Sequence, residues 1–239
     1  MAFQAAGRTD VGLVRKENQD NYLMLPQQAV YAVADGMGGH AGGGEASRIA
    51  VEALRQAMGE KETVCEGDVE AALVDVDTQI LEEAERNRWI GTGTTLVLAF
   101  CSEGLWKVAH IGDSRAYVVS SEGIYSLTKD HSLVEELLAR GTITPEEAKV
   151  HPHRHVLTRA LGTNGDIKPE WSQVPVEEAA FLLLCTDGLY NMVGEETIHK
   201  VIVADGVSIE EKASRLIEEA KIAGGADNIT VILIGEVGA

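Results

Sequence analysis

Five aspartates, Asp20, Asp35, Asp113, Asp187 and Asp227, stand at the starts, ends or turns of predicted strands, far apart along a chain of 239 residues. Four of them lie in short polar or Gly-containing punctuations: Asp35-Gly36-Met37-Gly38-Gly39-His40, Gly112-Asp113-Ser114-Arg115, Thr186-Asp187-Gly188 and Gly225-Ala226-Asp227-Asn228. The fifth closes Arg15-Lys16-Glu17-Asn18-Gln19-Asp20. Carboxylates gathered at strand ends repel one another, so a fold that brings them together needs cations between them. Hard oxygen ligands, with no cysteine and no evident histidine pair beside them, suit Mg²⁺ or Mn²⁺ rather than zinc.

Each motif has an ordinary alternative. Asp35 follows the apolar run 29–34, and the glycines after it permit backbone conformations that leave a carbonyl free. A hard cation can use both the Asp35 carboxylate and the Gly36 carbonyl, yet Asp-Gly alone is a plain turn. Asp187 follows the apolar run 181–185 and Asp227 precedes the last strand, where either could be a cap or turn residue. Asp113 could pair with Arg115 or cap a turn. Arg15 offers a guanidinium fork that matches phosphate oxygens, although most arginines are solvated surface residues. His40 is suited to proton transfer, or it merely caps the following helix. A Cys-x5-Arg loop and a Ser-His-Asp constellation are both missing, so no side-chain nucleophile competes with activated water. His151, His153 and His155 alternate around Pro152, which breaks regular geometry, and read as a solvated loop.

The elements that must position these groups are legible as strands over 3–10, 21–25 and 29–34. A helix over 45–58 carries Ala46, Ile49, Ala50, Ala53, Leu54, Ala57 and Met58 on one stripe, with Gly59 as its stop. A second helix covers about 67–87. Strands follow over 94–101, 105–111, 116–120 and 124–127, then a short helix over 132–140. Thr144 caps another with Pro145 at its first position. A buried strand spans 181–185. Ser208-Ile209-Glu210-Glu211 forms a capping box opening a helix to about 223, and 228–235 is the final strand. Runs of strands interrupted by paired helices indicate an α+β fold rather than an alternating parallel sheet.

Composition narrows the function classes. The formal net charge is −18, which argues against nucleic acid or an anionic membrane as the main partner. Bound divalent cations would invert the local field for an anionic substrate. The longest apolar runs, such as 179–185, are too short to span a bilayer. The N-terminus lacks the basic and apolar regions of a signal peptide, and Cys65, Cys101 and Cys185 have no close spacing. A cytoplasmic protein is the simplest expectation.

With Gly91-Thr92-Gly93-Thr94-Thr95 and Leu127-Thr128-Lys129-Asp130-His131-Ser132 between them, the five aspartates in order resemble bacterial members of the metal-dependent protein phosphatase family, protein phosphatase type 2C. The resemblance runs from about Gly7 to Ile234. It implies a four-layer α-β-β-α sandwich of two antiparallel sheets flanked by helices, in a single domain over 1–239 with a flap at about 132–154. It implies hydrolysis of phosphoserine and phosphothreonine by a metal-bound hydroxide, with Mn²⁺ or Mg²⁺ in two tight sites and a third weaker one. Asp35 is expected to bridge two ions, with Gly36 binding one through its carbonyl. Asp187 and Asp227 would ligate the second ion, and Asp20 would hold a metal-bound water. Asp113 and Asp187 would share the third site. Arg15 is expected to bind phosphate, and His40 to protonate the leaving group. Eukaryotic relatives place a histidine directly after Asp-Gly, where this chain has Met37.

The partners implied are serine/threonine kinases and their phosphorylated substrates, met by a cytoplasmic monomer. Three rivals stand beside this reading. A catalytically silent phosphatase-like binding module should lack a ligand, and none of the five is missing. A calcium store should carry a contiguous Asp-x-Asp-x-Asp-Gly loop, which is absent. A phosphatase dedicated to one regulatory phosphoprotein is disfavoured by Arg15 and the flap.

Overall fold

The structure is a computed structural model that describes residues 3–236, with the side chains of 39–41 and 236 outside the described residues. Its strands read as nearly continuous apolar runs because both of their faces are covered. In β3 (Val30–Met37), Val30, Ala32 and Ala34 face a helical layer while Tyr31 and Val33 face the opposing sheet. In β10 (Phe181–Cys185), Phe181, Leu183 and Cys185 face helices, and Leu182 and Leu184 face the sheet that holds β3. This period of two places three apolar layers in the molecule, one between the sheets and one under each helical face.

The first sheet has the order β1 (Phe3–Asp10), β11 (Ile229–Glu236), β10, β7 (Arg115–Ser120), β8 (Gly123–Ser126). The second runs β2 (Asp20–Leu25), β3, β5 (Leu96–Ser102), β6 (Leu105–Ile111), β9 (Glu170–Pro175), with the two-residue β4 (Gly93–Thr94) pairing β3. Every pairing is antiparallel. Helices α1 (Gly39–Met58) and α2 (Glu66–Asn87) cover the second sheet, and α6 (Glu195–Ile202) and α7 (Ile209–Ile222) cover the first. The expected four-layer α-β-β-α sandwich is therefore what forms. Two short helices, α3 (Leu133–Ala139) and α4 (Pro145–Lys149), occupy the segment expected to be a flap, and Thr144 accepts the Glu147 N–H as the cap predicted for α4.

Antiparallel order gathers the chemistry. Cys185 at the end of β10 pairs with Arg115 at the start of β7 and with Val231 near the start of β11. Asp10 at the end of β1 pairs with Ile229. One edge of the first sheet thus carries Asp113, Asp187, Asp227 and the loop that holds Arg15. In the second sheet Asp20 and Asp35 are direct cross-strand partners.

Four local expectations need correction. Asp35 and Gly36 lie within β3, laddered to Asp20 and Thr94, not beyond the strand end. Helix α1 begins at Gly39, six residues before the expected start. Its glycines are required by close approach: a Cβ on Gly42 would lie 2.3 Å from Thr92 Oγ1, and one on Gly43 would lie 2.9 Å from the Gly36 carbonyl carbon. Packing here overrides glycine's poor helix propensity. The capping box at Ser208 is half made. Ser208 Oγ accepts the Glu211 N–H, but the Glu211 carboxylate turns to Arg215. Finally β9, α6 and the one-turn α5 (Asp187–Tyr190) form where no element was expected.

Candidate metal centre

The backbone of Asp35 is held on both sides. Its N–H donates to Thr95 Oγ1 at 3.0 Å, and its carbonyl accepts from Thr94 Oγ1 and the Thr95 N–H at 2.9 Å each. These bonds explain part of the Gly91–Thr95 motif: its threonines fasten the strand end that aims Asp35. Thr95 Oγ1 in turn meets Ser114 Oγ at 2.7 Å, tying this end to the loop that carries Asp113. Gly36 and Gly188 are tight points, a Cβ on Gly188 lying 1.9 Å from the Asn228 carbonyl oxygen. A Cβ on Gly36 would lie 2.0 Å from the Gly43 carbonyl oxygen and 2.6 Å from that of Gln19.

Asp20 is 4% exposed and sits between the sheets. Its Oδ2 accepts from Thr186 Oγ1 at 2.8 Å and Thr230 Oγ1 at 2.7 Å, whereas its buried Oδ1 has no hydrogen-bond partner. Asn228 fixes the 11–19 loop, accepting from the Gln19 N–H and donating to the carbonyls of Val11 and Glu17. Asp187 opens α5 and accepts from Asn191 Nδ2 at 3.1 Å. Asp113 does not pair with Arg115, whose guanidinium forks onto Asp130 at 2.8 Å through two bonds and lies 3.6 Å above the Tyr190 ring. Arg15 reaches Asp227 Oδ2 at 2.7 Å from the solvent side.

Electrostatics show how closely the set converges. Burial lifts Asp35 well above the carboxylate range, and the charges of Asp20, Asp187, Asp113 and Asp227 lift it further. Burial, then Asp113 and its neighbours, raises Asp187 to about 8. Burial raises Asp20 to about 6 against the opposing threonine hydrogen bonds, and burial with the Asp130 charge raises Asp113 to about 6. Arg15 offers this group a cation, shared mainly with Asp227, and the Arg115 charge only partly offsets the rise at Asp113. Buried carboxylates in mutual repulsion, one with an orphaned oxygen, need positive charge to ionise together.

An all-oxygen donor set of this kind fits Mg²⁺ or Mn²⁺. The carboxylates stand further apart than a close three-ligand cluster. Among the described residues only His110, His131 and Glu170 bring three ligand atoms within 4.8 Å. That spacing suits ions that keep several waters, as Mg²⁺ does.

The trio of His110, His131 and Glu170 escaped the sequence reading, because its members lie in three separate segments and share no motif. Its imidazoles are committed to structure. The rings stack at 4.6 Å, His131 Nδ1 accepts the Gly112 N–H at 3.1 Å, and His110 Nε2 bonds the Lys129 carbonyl at 2.8 Å. The His131 N–H also donates to the Gly112 carbonyl, so this histidine grips the residue before Asp113 from both backbone sides. His153 and His155 are exposed and His151 partly so, as expected of a solvated loop. The expected acid His40 lies in the first turn of α1, and its side chain is outside the described residues.

Comparison with known proteins agrees with this geometry. The family model for protein phosphatase 2C matches residues 14–222. The chain is 38% identical to the serine/threonine phosphatase stp of Listeria innocua, over 97% of this chain and 95% of that one. The crystal structure of the serine/threonine phosphatase Stp1 from Staphylococcus aureus superposes with a TM-score of 0.91 at 32% identity, covering 100% of this chain and 96% of that one. The catalytic domain of the phosphatase PstP, solved with two manganese ions, superposes with a TM-score of 0.85 at 33% identity over 98% and 97% of the two chains. The chain belongs to the protein phosphatase 2C family.

Proposed function

We propose that the chain hydrolyses phosphoserine and phosphothreonine in proteins at the edge where its five aspartates meet, with Mn²⁺ or Mg²⁺ bound there. The observation that carries this reading is the convergence of Asp20, Asp35, Asp113, Asp187 and Asp227, with Arg15 beside them. Asp35 would bridge a pair of ions, with the Gly36 carbonyl on one and Asp187 and Asp227 on the other. Asp20 would use its free Oδ1 toward bound water, while Asp113 and Asp187 would hold a third ion more weakly. When bound, such ions acidify water into a nucleophile near neutral pH and screen the phosphate charge.

The chain's own residues supply the rest. Arg15 has a half-exposed side chain and a single carboxylate partner, so its fork can turn to phosphate oxygens once Asp227 is engaged elsewhere. Arg115, locked onto Asp130, leaves Asp113 free for a cation. His40 would hand its proton to the serine or threonine oxygen that leaves. Segment 132–154 would act as a flap beside the site. Its first residue, Ser132, bridges to Leu157, just past the segment's far end. Kinases and their substrates in the cytoplasm, met by a monomer, are the proposed partners. No helix among the described residues is long and apolar enough to cross a membrane.

Calorimetric Mn²⁺ titration tests the division of ligands. Asp187→Ala should lose a tight site, and Asp113→Ala only a weak one; equal loss of tight binding in both would refute the assignment. For His40→Ala, turnover of a phosphothreonine peptide should fall about 10²–10⁴-fold, the usual worth of general acid catalysis. Turnover of p-nitrophenyl phosphate, whose leaving group needs no proton, should fall far less. Equal slowing of both substrates without a product burst would remove His40 from that role.

A further inference from the structure

A second concavity lies at the opposite edge of the first sheet from the aspartates. There β7 ends at Ser120 and β10 begins at Phe181, because the strands run antiparallel with Phe181 opposite Val119. The connection from α6 to α7, 203–208, closes over them. The space measures about 530 Å³, is open to solvent, and is lined by Ser120, Ser121, Ala180, Phe181, Val207 and Lys212 among others. That volume is in the range of sites for small organic molecules.

Lys212 is the unusual member. It lies in the first turn of α7 and is 7% exposed. Its Nζ stands 4.5 Å over the Phe181 ring and makes no hydrogen bond or ion pair among the described residues. Burial lowers its pKa, partly offset by the Asp205 charge. Lysine is seldom this little exposed without a partner; its stem is buried while Nζ keeps solvent contact beside the ring quadrupole. In a chain of net charge −18, carboxylates for a surface pair are plentiful, yet this ammonium faces the cavity instead. The charged side chains lining the cavity are Lys212 and Asp205, and the two are not ion-paired. The Ser120 and Ser208 hydroxyl oxygens accept backbone N–H groups from Glu122 and Glu211, which leaves each O–H free to donate.

We propose that this cavity binds a small monocarboxylate with an apolar body, its head on Lys212 Nζ and the serine hydroxyls and its body along Phe181, Ala180 and Val207. Asp205 on the same wall selects a single negative charge over a phosphate dianion. The site shares no residue with the aspartate centre, so it stands or falls independently of the catalytic reading.

The test is amide NMR of the full chain, Mn²⁺-free to avoid paramagnetic broadening and loaded with Mg²⁺, titrated with benzoate. Saturable shifts should cluster at 120–121, 180–181 and 203–212, with a Kd of about 1 mM or tighter. Lys212→Met should weaken binding at least about tenfold, leave p-nitrophenyl phosphate hydrolysis unchanged and not lower Tm, while Lys212→Arg should retain binding. Should Lys212→Met unfold, Val207→Phe, which fills the space from the loop, should abolish the same shifts. Shifts confined to residues around the aspartates would overturn the proposal. So would a failure to saturate by about 10 mM, equal affinity in Lys212→Met, or inorganic phosphate binding there as tightly as benzoate.

Discussion

Asparagine at position 35 is expected to cut hydrolysis of a phosphothreonine peptide by about 10³-fold or more and, in the same protein kept in chelator, to raise Tm. The two signs have one cause. The Asp35 backbone is fastened by Thr94 and Thr95, so an isosteric amide leaves β3 in place. Its carboxyl is buried beside four other aspartates, which holds it well above the ordinary carboxylate range. Asparagine removes the cost of that charge in the metal-free fold, met either as repulsion or as proton uptake on folding. The same charge is what two cations would share, and metal-ion catalysis supplies several kcal/mol of transition-state stabilisation, where each 1.36 kcal/mol is about tenfold in rate. Turnover and thermal melting of Asp35→Asn, with and without Mn²⁺, decide the matter. Activity kept within about tenfold, or a lower Tm in chelator, would mean that Asp35 serves the fold and not the ions.

The parts of this molecule that were legible in the sequence are those governed by local pattern. The stripe from Ala46 to Met58 and the cap at Thr144 follow from period and capping, and both form. The strands over 105–111 and 181–185 were also placed to the residue. The site residues were legible as a set, because each Asp stands beside a strand end or a glycine. Their convergence was not, since it depends on strand order: Cys185 beside both Arg115 and Val231 is a fact of topology that no spacing encodes. Propensity misled at 39–44, where a helix built on glycine exists because Thr92, Gly36 and Gln19 press against it. Strand β9 was invisible because it is an edge strand with Glu170, Ser172 and Gln173 along it and little apolar alternation. The His131 grip on Gly112 joins side chain to distant backbone, a kind of contact that carries no residue-type signature.

Chelation should abolish hydrolysis at every pH, and the chelated protein should become less stable as pH rises from about 4 to about 8. Asp20 and Asp113 titrate at about 6 and Asp187 at about 8 in the fold, raised first of all by burial, and Asp35 lies well above its ordinary value. In the unfolded chain they titrate near 3.9 (order of magnitude). Between those values the native state holds more protons than the unfolded state. The derivative of unfolding free energy with pH is then negative, so stability is fully present below the unfolded pKa and is lost as pH rises through the folded ones. Divalent cations bind the ionised carboxylates, so their binding releases protons and tightens as pH rises. Bound ligand adds stability as RT ln(1 + [L]/Kd), so the Tm gained on adding Mn²⁺ should grow from about pH 5 to about pH 8. The general self-repulsion of this acidic chain could mimic the chelated trend. Asp187→Asn separates the two: it should flatten the chelated slope in the upper half of the window and remove most of the Mn²⁺ gain. An unchanged slope in that variant, or phosphopeptide hydrolysis that survives chelator, would leave the aspartate cluster without its proposed role.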